Sequence, residues 1–438
     1  MARYNDLDRR AFLAGAGKTL GLATLASGYL GLLHSEVHAA SQAIRHLSPA
    51  KAAQNEDFWF VIQNSFSVTR SIVNLNNGGI SASPRIVTEA LVRYQWQQED
   101  CPPYMIWNVL APQVETIRTG LAEMFGCHRD EIALTRSASE SLETLLFGLD
   151  LKPGDEVLTT TQDYHRMLNT LRQRQARDGV VLKTIKLTVP TRKSSDIVSA
   201  FEAAITEKTK LMLVSHQISL TGQILPVEQL CKLGKQWDIE VIVDGAHSFG
   251  QFDFNRASLG CDYFSSSLHK WLSAPKGTGL LFVKQDKIPK VWPLMAAEPK
   301  QANDIRKFEE IGTHSLAPFL AIGEAMMFHN EIGAARKASR LRYLKNYWID
   351  KLKTESRFQL QSNPRDTHTC AMATFRIDGI DARALYTYLL NTHRIYTGLM
   401  IHDEFQGLRI SPHIFNTTAE LDRFCQITRD ICKKGLPA

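Results

Sequence analysis

The chain has 438 residues, 44% of them hydrophobic and 22% charged, with a formal net charge of +6. That balance suits a globular enzyme long enough for two cores, and it offers no Lys/Arg block of the kind that nucleic-acid binders carry. The seven cysteines (Cys101, Cys127, Cys231, Cys261, Cys370, Cys425, Cys432) are scattered without a C-x-x-C pair, which argues against a disulfide framework and against a metal site.

Taken in order, the N-terminus reads as a separate object. Arg9-Arg10-Ala11-Phe12-Leu13 precedes a Gly/Ala-rich apolar run from Ala14 to Leu33, interrupted by Lys18, and Val37-His38-Ala39 supplies an A-x-A-like cleavage site. This layout predicts a signal peptide over 1–39, exported folded to the periplasm by the twin-arginine translocase. A lasting membrane anchor is the poorer reading, because the run is rich in Gly and Ala and holds the polar pair Lys18-Thr19. Residues 40–73 read as a polar, helix-like lead-in.

Asn74-Leu75-Asn76-Asn77-Gly78-Gly79 is a turn cluster whose glycines permit close backbone approach to a ligand, or simply make a tight turn. Pro84–Phe125 is helical in pattern and broken at Cys101-Pro102-Pro103. A strand over 131–135 then runs into Arg136-Ser137-Ala138-Ser139-Glu140 and a helix marked by Leu142, Leu145, Leu146 and Leu149. Small hydroxyl residues at such a junction cap a helix, and they also aim free N–H groups and the helix dipole at an anion. Strands follow at 156–160, ending in Gln162-Asp163-Tyr164-His165, and at 210–215, ending in His216-Gln217-Ile218-Ser219.

The centre of the chain is VIVDGAHSFGQFDFNRASLGCDYFSSSLHKW, from Val241 to Trp271. A β-branched run at 239–243 delivers Asp244, and a second strand at 263–267 delivers Leu268, His269 and Lys270, one crossover later. Either residue alone is ordinarily a turn or solvated side chain. Together at one sheet edge they suit pyridoxal phosphate, which needs a lysine for its Schiff base and a carboxylate for its ring nitrogen. Glu309–Thr313 precedes a helix that Thr313 could cap. Beyond it, a basic helix at 334–352, strands at 369–377, 394–397 and 407–410, and helices at 381–392 and 417–433 make a βαββα pattern. The expected fold is therefore α/β: a large, mostly parallel sheet domain over 74–330 and a smaller C-terminal α+β domain over 331–438. Arg409 in Leu408-Arg409-Ile410-Ser411-Pro412 offers a planar fork for a carboxylate.

VDGAH, SSSLHKW and the Gly-rich APKGTG together resemble the class V aminotransferase superfamily, pyridoxal-phosphate enzymes of fold type I, from Asn74 to Leu436. The resemblance implies an aspartate aminotransferase-like large domain. It implies that Ala138 (through its N–H), Ser139, Ser267 and His269 hold the cofactor phosphate, that Tyr164 stacks on the ring, and that Asp244 pairs with the ring nitrogen. His247 and Ser219 match contacts to the ring hydroxyl, although desulfurases carry Asn where Ser219 stands. Lys270 is implied as the Schiff-base lysine and proton shuttle, Thr313 as a reach to the partner's phosphate in a homodimer, and Asn77 and Arg409 as substrate contacts.

Desulfurases place a nucleophilic cysteine on the loop before that arginine, where this chain reads Thr397-Gly398-Leu399-Met400-Ile401-His402-Asp403, so persulfide chemistry is not expected. The isopenicillin N epimerase-like branch is the better match, and its exported members include pyoverdine-maturation enzymes. The expectation is thus an exported enzyme that transaminates, epimerises or eliminates at the amine-bearing carbon of an amino-acid-type small molecule. The competing reading is a non-catalytic exported binding protein that kept the fold; the intact Asp244, His247 and Lys270 set speaks against it. A nucleotide-binding protein is excluded by the lack of a G-x-x-x-x-G-K-[ST] loop.

Overall fold

The computed structural model describes residues 35–191 and 193–437. The paired arginines and the apolar run expected to direct export lie outside the described residues. Among the described residues no helix is long and apolar enough to cross a membrane.

The large sheet is built from β2 (Ile132–Thr135), β3 (Glu156–Thr160), β4 (Val181–Ile185), β5 (Thr209–Ser215), β6 (Glu240–Asp244), β7 (Tyr263–Ser267) and β8 (Gly279–Val283), following β1 (Val73–Asn74) in the chain. Its spatial order is β2-β8-β7-β6-β5-β3-β4, and only pairings with β8 are antiparallel. The apolar residues of β6 and β8 are buried on both faces under flanking helices, which is why these strands read as near-continuous apolar runs, whereas β7 buries three serines after Tyr263 and Phe264. The chain moves from β3 to one side (β4) and then back across to the other (β5). The crevice at the carboxyl ends of the parallel strands beside that switch is where open α/β sheets bind ligands.

The C-terminal domain carries an antiparallel sheet, β12-β13-β10-β9, made of β9 (Phe358–Leu360), β10 (Ala373–Ile377), β12 (Gly398–His402) and β13 (Phe405–Ile410). The short β11 (Ile395–Tyr396) pairs with β1 instead. The structure is richer than the expected βαββα pattern: β9 was not foreseen, and 398–402, read as a loop, is one arm of a tight hairpin. Trp348, Phe358, Phe375 and Phe424 form the aromatic core of this domain.

The lead-in segment differs from the polar reading. Helix Glu56–Asn64 buries Phe58, Trp59 and Ile62 against Trp271, Phe328, Leu341 and Phe415. Trp59 is fully buried and its Nε1 donates to Ala52 O at 2.8 Å. Val37 and Ile44 join the same cluster, so the segment locks both domains around the residue that follows Lys270. β1 then pins the chain to the small domain and delivers Gly78 and Gly79 to the crevice.

Candidate active site

A cleft of about 780 Å³ opens at the carboxyl ends of the parallel strands. It gathers Ala138, Ser139, Tyr164, Ser219, Asp244, His247, Ser267, His269, Lys270 and Arg409, all anticipated from the sequence, under Gly78, Gly79 and the β12–β13 hairpin.

One end is an anion cradle. β2 leads into helix Ala138–Gly148, whose N-cap Ser137 accepts from Glu140 N–H at 3.3 Å. Ala138 N–H donates to Ser267 Oγ at 3.0 Å, joining the helix start to the end of β7. His269 Nδ1 lies 3.0 Å from Thr278 O, which fixes its tautomer as an Nδ1–H donor and leaves Nε2 free. Burial, with Lys270 beside it, pushes His269 down to about 4, so the ring is neutral. A Cβ at Gly279 would come within 2.7 Å of Ser137 Cα, so glycine there lets β8 pass under the cap. The helix dipole, with the Ala138 N–H and Ser267 hydroxyl gathered at this end, can hold a phosphate.

At the other end are the ionisable groups. Asp244 leaves β6 with its Oδ1 accepting from Ala246 N–H at 2.9 Å. Burial raises it to about 6, against the pull of that hydrogen bond and of Lys270. Lys270 Nζ lies 3.1 Å from His247 Nε2, while His247 Nδ1 is buried without a partner. Burial lowers Lys270 to about 8, Asp244 opposing and Arg409 adding to the shift. Burial also holds His247 well below its ordinary range.

Tyr164 stands at the N-terminus of helix His165–Asp178, edge-on to His165 at 4.7 Å. Asp163 beside it is buried, and its Oδ2 accepts from Thr159 Oγ1 at 2.7 Å and Thr160 N–H at 2.9 Å. Its other oxygen accepts from Ser215 Oγ, tying β3 to β5 at the switch.

Arg409 is 5% exposed. Its Nη1 donates to Ser219 O at 2.6 Å and its Nη2 to Asn76 Oδ1 at 2.8 Å, while Nε has no partner. Burial lowers it to about 10, and it keeps its charge at neutral pH. Asn76 was missed by the sequence reading, which chose Asn77 as the substrate contact. Asn77 is fully buried outside the cleft, its Nδ2 donating to Asn74 O, Ser411 O and Asn416 Oδ1 and its Oδ1 accepting from Asn74. It shapes the turn, and Asn76 faces the arginine.

Thr313 is exposed and does not line the cleft of its own chain. Nearby Glu309 instead pairs with buried Arg118 and accepts from Leu134 N–H at 2.6 Å, bracing β2. Among the described residues lining the cleft there is no cysteine, and no group of side chains could hold a metal ion.

The family described as "Aminotransferase class-V" matches residues 79–424. Isopenicillin N epimerase of Amycolatopsis lactamdurans is 27% identical over 86% of this chain and 99% of its own length. A cysteine desulfurase of Haloferax volcanii is 25% identical over 81% of this chain and 88% of its own. Among solved structures, the apo cysteine desulfurase from Thermococcus onnurineus superposes with a TM-score of 0.75 at 21% identity, covering 87% of this chain and 98% of that one.

Proposed function

The chain belongs to the class-V aminotransferase family of pyridoxal-phosphate enzymes, and on that premise we propose an exported enzyme acting at the amine-bearing carbon of an amino acid or amino-acid-containing metabolite. The observation that carries this reading is Lys270, an amine lowered to about 8 in a cleft shared with Asp244, His247 and Arg409. The donor set fits the cofactor: an N-terminal helix cradle at one end, and a buried carboxylate, an unpartnered imidazole nitrogen and a lysine at the other. Bound pyridoxal 5'-phosphate supplies an electron sink for charge developing at the substrate carbon.

In this reading Ala138 N–H, Ser139 and Ser267 hold the phosphate, His269 joins them from Nε2 once the phosphate charge has drawn a second proton onto its ring, and Tyr164 covers the cofactor ring. Asp244 keeps the ring nitrogen protonated and His247 contacts the ring hydroxyl, with Ser219 nearby. Lys270 anchors the cofactor and moves the proton at the α-carbon. Arg409, set by Ser219 O and Asn76, takes the substrate carboxylate. Thr313, turned away from its own cleft, serves the partner's phosphate in a homodimer.

Epimerisation, transamination and elimination all begin with loss of the α-proton, and the epimerase relatives support a reaction of that group. Desulfuration is disfavoured because Ile401 stands on the cleft wall where a thiol would be needed. Cys370 is fully buried and its thiol is raised to about 11. Export to the periplasm, for tailoring of a siderophore-like product or otherwise, rests on Arg9-Arg10 and the apolar run after them.

The test is α-proton exchange. Cofactor-loaded protein, identified by its visible absorbance band, is incubated with a panel of amino acids in D₂O. Deuterium at the α-carbon of one of them supports the reading. A loaded protein that exchanges none of them favours the binding-protein alternative.

A further inference from the structure

Asp163 is a buried carboxylate without a partner of opposite charge. It is 4% exposed and lines the cleft. Its Oδ2 accepts from Thr159 Oγ1 at 2.7 Å, Thr160 N–H at 2.9 Å and Thr160 Oγ1 at 2.6 Å, and its Oδ1 accepts from Ser215 Oγ. A carboxyl group that only accepts is a charged carboxylate. The cleft is also lined by the cations Arg172, Lys186, Lys270 and Arg409, and by Asp403 and Glu404 of the hairpin tip. Among the described residues none of these cations pairs with Asp163: Arg172 donates to Asn169, Arg409 to Ser219 O and Asn76, and Lys270 lies against His247. A charge buried without a counter-ion is costly, and a neutral serine or asparagine could hold the same turn. The turn alone therefore gives no reason for a charge at this position.

Strand register shows what that charge stands beside. Ser215, the residue that reaches Asp163, is the Cα partner of Asp244 across β5 and β6. Both end their strands there, and the next residue, His216, donates its N–H to Asp244 O at 2.8 Å. Partners on neighbouring strands carry their side chains on one face, roughly 4.8 Å apart, and Asp163, Ser215 and Asp244 all line the cleft. One serine thus separates the two carboxylates. Burial is the main cause that raises Asp244 to about 6, and the charge of Asp163 adds to it, while Ala246 N–H and Lys270 pull the other way.

We propose that Asp163 is a positioning residue for the cofactor ring, a second carboxylate that acts through Asp244: set beside it by Ser215, it adds negative charge to that side of the cleft, so that the ring nitrogen keeps its proton. The inference rests on the function proposed above, in which Asp244 faces that nitrogen. A pyridine nitrogen becomes positive when protonated, and a second fixed negative charge nearby favours the charged form where little water screens it. The competing role for Asp163 is to shape the 160–164 turn that presents Tyr164. That role would affect any ligand under Tyr164, whether or not its ring can take a proton.

The probes are pyridoxal 5'-phosphate and its 1-deaza analogue, in which a C–H group replaces the ring nitrogen and no proton can be held there. Their affinities for apoprotein are measured by absorbance titration at neutral pH. The wild type should favour pyridoxal 5'-phosphate, and Asp163→Asn should cut that preference by about fivefold or more. Asp163→Ser keeps a hydroxyl for Thr160 N–H but no charge; it should do the same, and serves if the asparagine variant fails to fold. Thr159→Val loosens the turn and leaves the charge, so it should weaken both ligands alike with the preference unchanged. A preference that survives the loss of the Asp163 charge, or that falls equally in Thr159→Val, overturns the role of Asp163 and leaves that of Asp244. A wild type without the preference overturns both roles together, and one that binds neither compound removes the cofactor reading itself.

Discussion

Lys270 Nζ lies 3.1 Å from His247 Nε2, with the imidazole held neutral by burial and the amine lowered to about 8. Only the neutral amine can attach the cofactor, so its rate of capture by apoprotein should rise through a pH of about 8. An ordinary lysine would place that rise near about 10.4. Asp244 holds Lys270 up, so Asp244→Asn should move the inflection to lower pH, and Lys270→Ala should leave nothing to trap by borohydride at any pH. Growth of the visible band against pH measures this; an inflection near 10 would show a solvated lysine and the wrong anchor.

Gly279 reports on the anion cradle independently. A Cβ there would meet Ser137 backbone at 2.7–2.8 Å, displacing the cap of helix Ala138–Gly148. Gly279→Ala should cost about 1–3 kcal/mol of stability, as overpacking does, and should weaken cofactor retention in dialysis. Normal retention by the destabilised variant would mean that the cradle does not carry the phosphate.

Asp244 was legible because the buried strand before it leaves an apolar run, Val241–Val243, that ends on a polar residue; Lys270 follows a serine-rich strand and was legible from the SSSLHKW motif. The orienters of Arg409 were not. Asn76 and Ser219 lie 333 and 190 residues from it in the chain, and no local pattern links them. Choosing between Asn76 and Asn77 depended on which way one turn residue faces. β4 escaped notice because it is an edge strand whose VLKTI sequence is only partly buried. The β12–β13 hairpin turns at Asp403-Glu404 without the glycine that usually marks such a turn. The lead-in carries Phe58-Trp59-Phe60-Val61-Ile62, but the polar residues on either side masked it, and only the fold shows that Phe58, Trp59 and Ile62 are buried while Phe60 is exposed.

Lys337 is a buried cation that the chemistry does not use. It is 2% exposed, donates to Trp271 O, lies 3.3 Å from His329 Nδ1, and is lowered to about 7 by burial, with Cys370 opposing. His413, also held neutral, is the other titratable group facing it. In the unfolded chain this lysine titrates near about 10.4. Above pH 7 the unfolded state therefore binds more protons, and stability should rise with pH by up to about 1.4 kcal/mol per unit. Below pH 7 the penalty is fully present and constant. Unfolded cysteines titrate at about 8.5 and oppose this slope, but equally in the wild type and in a Lys337 variant, so the lysine is read from the difference between the two in urea denaturation from pH 7 to 8.5. The pH slope of Lys337→Met should lie below that of the wild type by that amount, and parallel slopes would place the lysine in contact with water.

Export can be tested on the motif itself. Replacing Arg9 and Arg10 with lysine should leave folded, cofactor-loaded precursor in the cytoplasm. Undiminished periplasmic protein would rule out the twin-arginine route. N-terminal sequencing of the exported form addresses a second point. Val37 is buried with Trp59 and Phe328, and His38 Nδ1 lies 3.0 Å from Glu331 Oε1. Cleavage after Ala39 would remove both contacts, so the mature form should be slightly less stable than the uncleaved chain.

Asp244 and Arg409 enter the cleft from different domains, and their substitutions should fail differently. Asp244→Asn removes the charge proposed to face the ring nitrogen while leaving the Lys270 amine in place, so cofactor should stay bound while kcat falls steeply. Arg409→Lys keeps a positive charge but cannot make both the 2.6 Å contact to Ser219 O and the 2.8 Å contact to Asn76 while also offering a fork to a carboxylate. The loss of charge-assisted hydrogen bonds at a buried site costs about 1.5–3 kcal/mol, which is roughly a ten- to hundredfold rise in KM with the cofactor spectrum unchanged. Asn76→Ala should reproduce part of that rise, because it frees the guanidinium without removing it. Steady-state kinetics on the three variants, with any amino acid that exchanges its α-proton, separates the roles. An unchanged KM for Arg409→Lys would place the carboxylate elsewhere, and normal turnover by Asp244→Asn would overturn the proposed role of that carboxylate at the ring nitrogen.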